Sequence, residues 1–212
     1  MTRVTWDASG QRLYQTGVDR GMIYLEDGTV STWNGLVSVT ENPNGGDPTA
    51  TFIDGQKVLN VPSGENYEGT IESVSLPLAA AACAGWGILQ YGLFASNQPK
   101  QSFGFSYRTL IGNDVSGTEF GYRIHVIFNC TAKSSDFTHE TIKDQPAVNP
   151  YSWGITAVPV AFSGLRPTAH VIFDTRIQTP PTITAIEALL YGDDETDAVM
   201  PTPDQIALLL SP

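Results

Sequence analysis

The sequence predicts a mainly β fold of the α+β class, with about eight or nine short strands and two or three short helices. Three observations carry this. Two-residue alternation recurs along the chain and is longest between Gln101 and Cys130. Turn formers such as Asp27-Gly28, Asn34-Gly35 and Gly55-Gln56 separate the alternating runs. Helical character is confined to one alanine-rich run and the C-terminal end.

Taken in order, residues 1–20 are polar with Trp6, Leu13 and Tyr14 as isolated anchors, which reads as an arm ordered by packing against something else. Met22–Leu25 and Thr29–Trp33 flank an Asp-Gly turn and predict a hairpin. Val37 and Val39 alternate with Ser38 and Thr40 before the turn-rich loop from Glu41 to Pro48. TATFID and KVLNVP predict a second short hairpin. From Glu65 to Leu76, Glu68, Thr70 and Glu72 alternate against Gly69 and Ile71. The uncharged run Leu78–Gly87 is the best helix candidate of the first half, and its lack of charge predicts burial.

In the central stretch, Phe103, Phe105, Tyr107, Thr109 and Ile111 share one face. After the turn, Phe120, Tyr122, Ile124, Val126, Phe128 and Cys130 share another, opposite Arg123, His125 and Ile127. This predicts an antiparallel hairpin with an apolar and a wet side. Pairing Ile111 with Phe120 places Arg108 opposite Arg123, which is unfavourable. An even slip or an intervening acid is therefore expected, because an odd slip would turn one strand's aromatics to water.

Residues 138–150 form a polar connection. Tyr151, Trp153, Ile155 and Ala157 then alternate, followed in the other phase by Val158, Val160 and Phe162, with Pro159 suggesting an edge or bulge. Ala169, Val171 and Phe173 give a further strand. Residues 182–212 are read as helical: Ile183, Ile186, Leu189 and Leu190 have helical spacing, with Thr184 and Glu187 spaced as a capping box and Gly192 as terminator. Thr202 with Gln205, and Pro203 between them, predict a second helix start.

At 212 residues the chain suits a single domain, 1–212, large enough to bury its own core. Charged residues are only 16%, which fits a protein that covers its surface with copies of itself and equally a β-rich domain, since those are often charge-poor. The 22 acidic against 11 basic residues give a net charge of −11, which argues against an ordinary nucleic-acid binder. Cys83 and Cys130 lack metal-ligand spacing and are expected to be reduced and buried. The start of the chain lacks the hydrophobic run of a signal peptide, and no stretch approaches the roughly 18 apolar residues of a membrane span, so assembly in a cytoplasm is expected.

Three blocks together carry a family resemblance: TWDASGQRLYQTGVDRGMIYL with WNGL after it, FGFSYRTLIGNDVSGTEFGYRIHVIFN, and ALLYGDDETDAVMPTPDQIALL. In that order they resemble the major tail protein of long, non-contractile-tailed bacteriophages (siphophages), in the versions found in phages of actinobacteria. The apolar stretch from Pro77 to Gln98 departs from the polar versions of the family. The resemblance implies two packed antiparallel sheets, a sandwich or barrel-like tail-tube fold flanked by a helix. It further implies hexameric rings that stack into a tail tube through which genomic DNA passes into the host. Implied partners are further copies of the chain, the tape measure protein, the tail terminator and the distal tail or baseplate proteins. DNA is present only transiently in the bore, no membrane is involved, and the implied location is the virion tail.

Chemistry finds little support. Cys130 with His139 and Asp136 could be drawn as a nucleophile pair, but Cys130 lies on an apolar strand face. His125, His139 and His170 lack zinc spacing and are expected to be surface or ladder residues. Asp193, Glu195 and Asp197 alternate oxygen ligands but lack the glycine and distal glutamate of a calcium loop. The expectation is no catalytic residue, no cofactor and no resident metal. Glu65, Glu68 and Glu72 are candidates for a lumen-facing acidic strip, and Trp6, Tyr14, Leu208, Leu209 and Leu210 for assembly contacts. The competing readings are a monomeric β-sandwich adhesion or carbohydrate-binding module and, with least support, an enzyme.

Overall fold

The computed structural model describes residues 6–210 apart from 47, 62–63, 91, 136–137, 140, 142–147 and 149. Its strands are β1 (Leu13–Leu25), β2 (Val30–Trp33), β3 (Leu36–Glu41), β4 (Asn44–Gly45), β5 (Thr49–Ile53), β6 (Gln56–Val61) and β7 (Glu65–Ser73), then β8 (Gly87–Gln90), β9 (Leu93–Ala95), β10 (Phe103–Asn113), β11 (Gly117–Ala132), β12 (Tyr151–Ala157) and β13 (His170–Asp174). Two helices follow, α1 (Pro180–Tyr191) and α2 (Pro203–Leu209). The fold is mainly β, as the alternation predicts.

Nine strands form one antiparallel sheet in the order β2-β1-β10-β11-β12-β7-β3, with β13 added to β11 and β4 to β7; β5-β6 and β8-β9 are separate two-stranded sheets. The large sheet curls over itself without closing into a barrel. Trp33 on β2 and Trp153 on β12 are four strands apart in this order, roughly 19 Å if the sheet were flat. Their rings nevertheless meet edge to face at 5.4 Å, and Trp33 meets Phe105 at 5.5 Å. The core inside the curl joins Ile23, Ile71, Phe103, Phe105, Ile127 and Ile155 to these rings. Edge-to-face pairs add about 0.5–1.5 kcal/mol each beyond area burial.

The central hairpin departs from its expected form in both register and exposure. Ile111 pairs with Gly121, and Thr109 with Arg123, an odd slip from the arrangement that opposes the two arginines. Arg108 faces Ile124 across the hairpin and forms a two-pronged ion pair with Asp19 on β1, at 2.6 and 2.7 Å. Arg123 pairs instead with Asp174 on β13 at 2.9 Å. The odd slip is tolerated because both faces of the buried middle of the hairpin are covered, and its cost shows at the turn end, where Phe120 is exposed. Tyr107, His125 and Ile127 face the curl. Ile124, Val126 and Phe128 form a second core with Met22, Phe173, Ile186, Leu190 and Ile206, under α1 and α2. The phase changes at Asn129, which has a left-handed backbone (φ 45°), so Cys130 returns to the inner core.

Helix α1 begins at Pro180, four residues before Thr184, whose hydroxyl donates to the Pro180 carbonyl from within the helix. The proposed capping role of Thr184 is thus corrected; the two prolines set the start. Gly192 ends the helix as expected, with φ 78° and its N–H donating to the Ala188 carbonyl. Tyr24 donates to the Leu190 carbonyl at 2.9 Å and ties α1 to β1. At α2 both halves of the Thr202–Gln205 capping box are formed. The alanine run gives only a 3-10 turn over Leu78–Ala81, with Ala80, Ala81 and Cys83 buried; Gly85, left-handed at φ 78°, breaks it off. Leu13–Arg20, read as arm, is the outer half of β1 and pairs with β10. Beyond Ala157 the expected strand reduces to one bridge, Val160 to Thr168.

Candidate assembly surfaces and a buried polar centre

Strand β7 carries the acidic candidates. Tyr67, Gly69, Ile71 and Ser73 point inward, leaving Glu68, Thr70 and Glu72 on the other face as the alternation predicts. Glu68 is half-exposed and accepts from Lys133 at 2.8 Å; that bond is the leading cause holding its carboxyl below the usual range. Glu72 accepts from Ser38 on β3 at 2.8 Å. Glu65 opens the strand opposite Gly45, and its side chain lies outside the described set.

Among the proposed contact residues, Trp6 is 79% exposed and Leu208 73% exposed. Tyr14 is half-exposed and lays its ring across Gly112, where a Cβ would come within 2.4 Å of it. The C-terminal trio divides: Leu209 packs against the helix-covered core beside Ile206, while Leu208 and Leu210 face out.

Two further surfaces escape a reading by alternation. In β5-β6, Phe52, Ile53, Val58 and Leu59 are all more than half exposed. These are adjacent pairs, so apolar side chains stand on both faces of the hairpin. Asp54 and Gly55, both left-handed, form its turn. In β8-β9, Ile88, Leu89, Leu93 and Phe94 are exposed as well. An isolated two-stranded hairpin is marginal in water.

At the mouth of the curl lies a polar centre that the sequence reading missed. It brings together Glu41 at the end of β3, His125 in β11 and His170 at the start of β13. His125 Nδ1 lies 3.1 Å from His170 Nε2 and 3.4 Å from Glu41 Oε1; His170 Nε2 lies 3.5 Å from the same oxygen. His125 Nε2 is 3.0 Å from the Thr109 hydroxyl. Its ring stacks between Tyr107, at 4.5 Å and 10°, and His170, at 5.2 Å and 18°. Tyr107 donates to Glu41 Oε1. As the ladder alternative expects, both histidines lie in the β11–β13 ladder, but they are largely shielded from solvent; His139 is exposed.

Burial opposes ionisation of Glu41, but hydrogen bonds from His125 and Tyr107, and the nearby imidazoles, outweigh it and hold the carboxyl down to about 2. Burial pushes His170 down to about 4, against the attraction of Glu41. At neutral pH the centre is therefore an ionised carboxylate beside a neutral His170. Burial raises the Tyr107 and Tyr67 hydroxyls, and the Glu41 charge raises them further, so both remain protonated donors. The Tyr67 hydroxyl is buried and has no hydrogen-bond partner among the described residues. Glu41 lines two clefts. One, of about 560 Å³, is also lined by Gln15, Val37, Arg123 and His125; the other, of about 880 Å³, by Tyr67, Arg166 and His170.

Both cysteines are free, buried and raised by that burial, Cys83 to about 11, so neither is a thiolate at neutral pH. The loop after α1 is exposed, and Asp193 accepts from the backbone of Glu195 and Thr196 at 2.9 and 2.8 Å. Among the described residues no helix is long and apolar enough to cross a membrane.

No protein-family profile matches the chain, and no curated protein matches it. Comparison with solved structures finds a chain of the anti-feeding prophage (AFP) baseplate, from a 6-fold symmetrised cryo-EM structure, at 8% identity and a TM-score of 0.39, covering 82% of this chain and 100% of that one. A likeness this distant carries no statement about function.

Proposed function

We propose that this chain is a structural virion protein that assembles with copies of itself into stacked, hexameric rings of a phage tail tube. The observation that carries this reading is the pair of projecting hairpins with exposed apolar side chains: Phe52, Ile53, Val58 and Leu59 on β5-β6, and Ile88, Leu89, Leu93 and Phe94 on β8-β9. Large apolar surfaces rimmed by polar residues mark interaction sites. The low charge content and the ordered sequence blocks that resemble siphophage major tail proteins point the same way. In this reading the polar face of β7 lines the bore. Its carboxylates keep the wall from holding DNA, because a basic wall binds phosphates through counterion release. The other tail components named for the family are the expected partners.

Negative-stain electron microscopy of the purified chain tests this. Rings or tubes that lengthen with protein concentration are the expected result. A monodisperse monomer at high concentration would refute it and favour a monomeric binding module.

A further inference from the structure

We propose that Glu41, His125 and His170 form a site for one divalent transition-metal ion of the zinc class, stapling the curled sheet from within. This inference does not depend on the tube reading. The three ligand atoms stand 3.1, 3.4 and 3.5 Å apart. A tetrahedral zinc ion with bonds of about 2.0–2.1 Å requires ligand atoms about 3.3 Å apart. The triangle therefore has the dimensions of one face of that tetrahedron, with the ion roughly 0.7 Å above its plane. Two imidazole nitrogens and a carboxylate oxygen suit zinc or cobalt rather than calcium or magnesium.

The surrounding groups favour the liganding forms. Binding the ion replaces the His125 Nδ1 hydrogen bond to Glu41: the ring then carries its proton on Nε2, which donates to the Thr109 hydroxyl, and Nδ1 presents its lone pair to the ion. Tyr107, donating to Glu41, fixes the carboxylate. The fourth position opens toward the clefts that Glu41 lines. Tyr67, edge-on to the His170 ring at 5.4 Å, gains the partner its hydroxyl lacks if the ion carries a water there. The ligands come from β3 at one end of the sheet order and from β11 and β13 in its middle, so the ion links segments that the ladder leaves far apart.

The test uses the full, untagged chain after chelator dialysis. Zinc is titrated calorimetrically and counted by elemental analysis, cobalt is followed by its visible spectrum, and melting is recorded with and without zinc. The expected result is one ion per chain, a tetrahedral cobalt spectrum and a higher Tm with zinc. Glu41→Gln and His170→Gln should lose stoichiometric uptake, Thr109→Val should bind about 10–100-fold more weakly, and His139→Ala should bind like wild type. The wild-type comparison needs no variant to fold. Wild type that takes up no stoichiometric ion and melts unchanged would overturn the proposal, as would wild-type affinity in both ligand variants.

Discussion

Replacing Phe52 and Leu59 by serine tests whether the β5-β6 hairpin is an assembly element. Full burial of such a side chain contributes about 1.5–3 kcal/mol. Between 55% and 63% of each of Phe52, Ile53, Val58 and Leu59 remains exposed in the single chain. Covering all four against a neighbour therefore contributes on the order of 5 kcal/mol per hairpin before ordering costs. The double variant removes about half, roughly 2–3 kcal/mol, which raises the concentration needed for assembly on the order of 100-fold. The hairpin is its own two-stranded sheet, so the domain itself should keep its circular dichroism spectrum and melt within about 2 °C of wild type. Sedimentation velocity over a concentration series is the assay. A correctly folded variant that assembles at wild-type concentrations would refute the reasoning.

Lysine at both Glu68 and Glu72 should leave tubes intact but slow DNA ejection from reconstituted phage, and an unchanged ejection rate would remove these two residues from the bore. Gly112→Ala should destabilise by about 1–3 kcal/mol, because its Cβ would meet the Tyr14 ring at 2.4 Å and the Gly117 carbonyl at 2.5 Å; a Tm equal to wild type would show that both neighbours yield without cost. Metal-free protein should lose stability on acidification from pH 6.5, because His170 titrates near 4 when folded and near 6.5 when unfolded, so the unfolded chain binds the extra proton in that window. The loss is about 3 kcal/mol by pH 4. Glu41, depressed to about 2, adds a further loss below its unfolded value near 4.5. Urea midpoints across pH, with His170→Gln as the variant that lacks the upper window, check this; a flat profile between 6.5 and 4.5 contradicts it.

Local alternation was enough to place β7 and β12, because each has one buried face and a neighbour on either side: Trp153, Ile155 and Ala157 are buried as their spacing predicts. It misassigned the central hairpin because both faces of its buried middle are covered, one by the curl and one by helices that begin only at Pro180. When both faces are buried, alternation no longer tells which register wins, and the arginines settle it by finding Asp19 and Asp174 on outer neighbours. Alanine content predicted a helix after Pro77, where Gly85 and a buried setting allow only a turn. The polar centre was out of reach of spacing rules, since its residues lie on three strands joined only by sheet topology. The available signal was local: His125 is the one polar residue in the run Ile124–Phe128.

A cryo-EM reconstruction of the assembled protein at side-chain resolution tests the central claim most directly. The account predicts stacked rings around an open bore, with Phe52, Ile53, Val58 and Leu59 seated on a neighbouring subunit and Glu68, Thr70 and Glu72 toward the channel. Particles that stay single, or assemblies in which the β5-β6 hairpin remains in solvent and β7 faces outward, would contradict it.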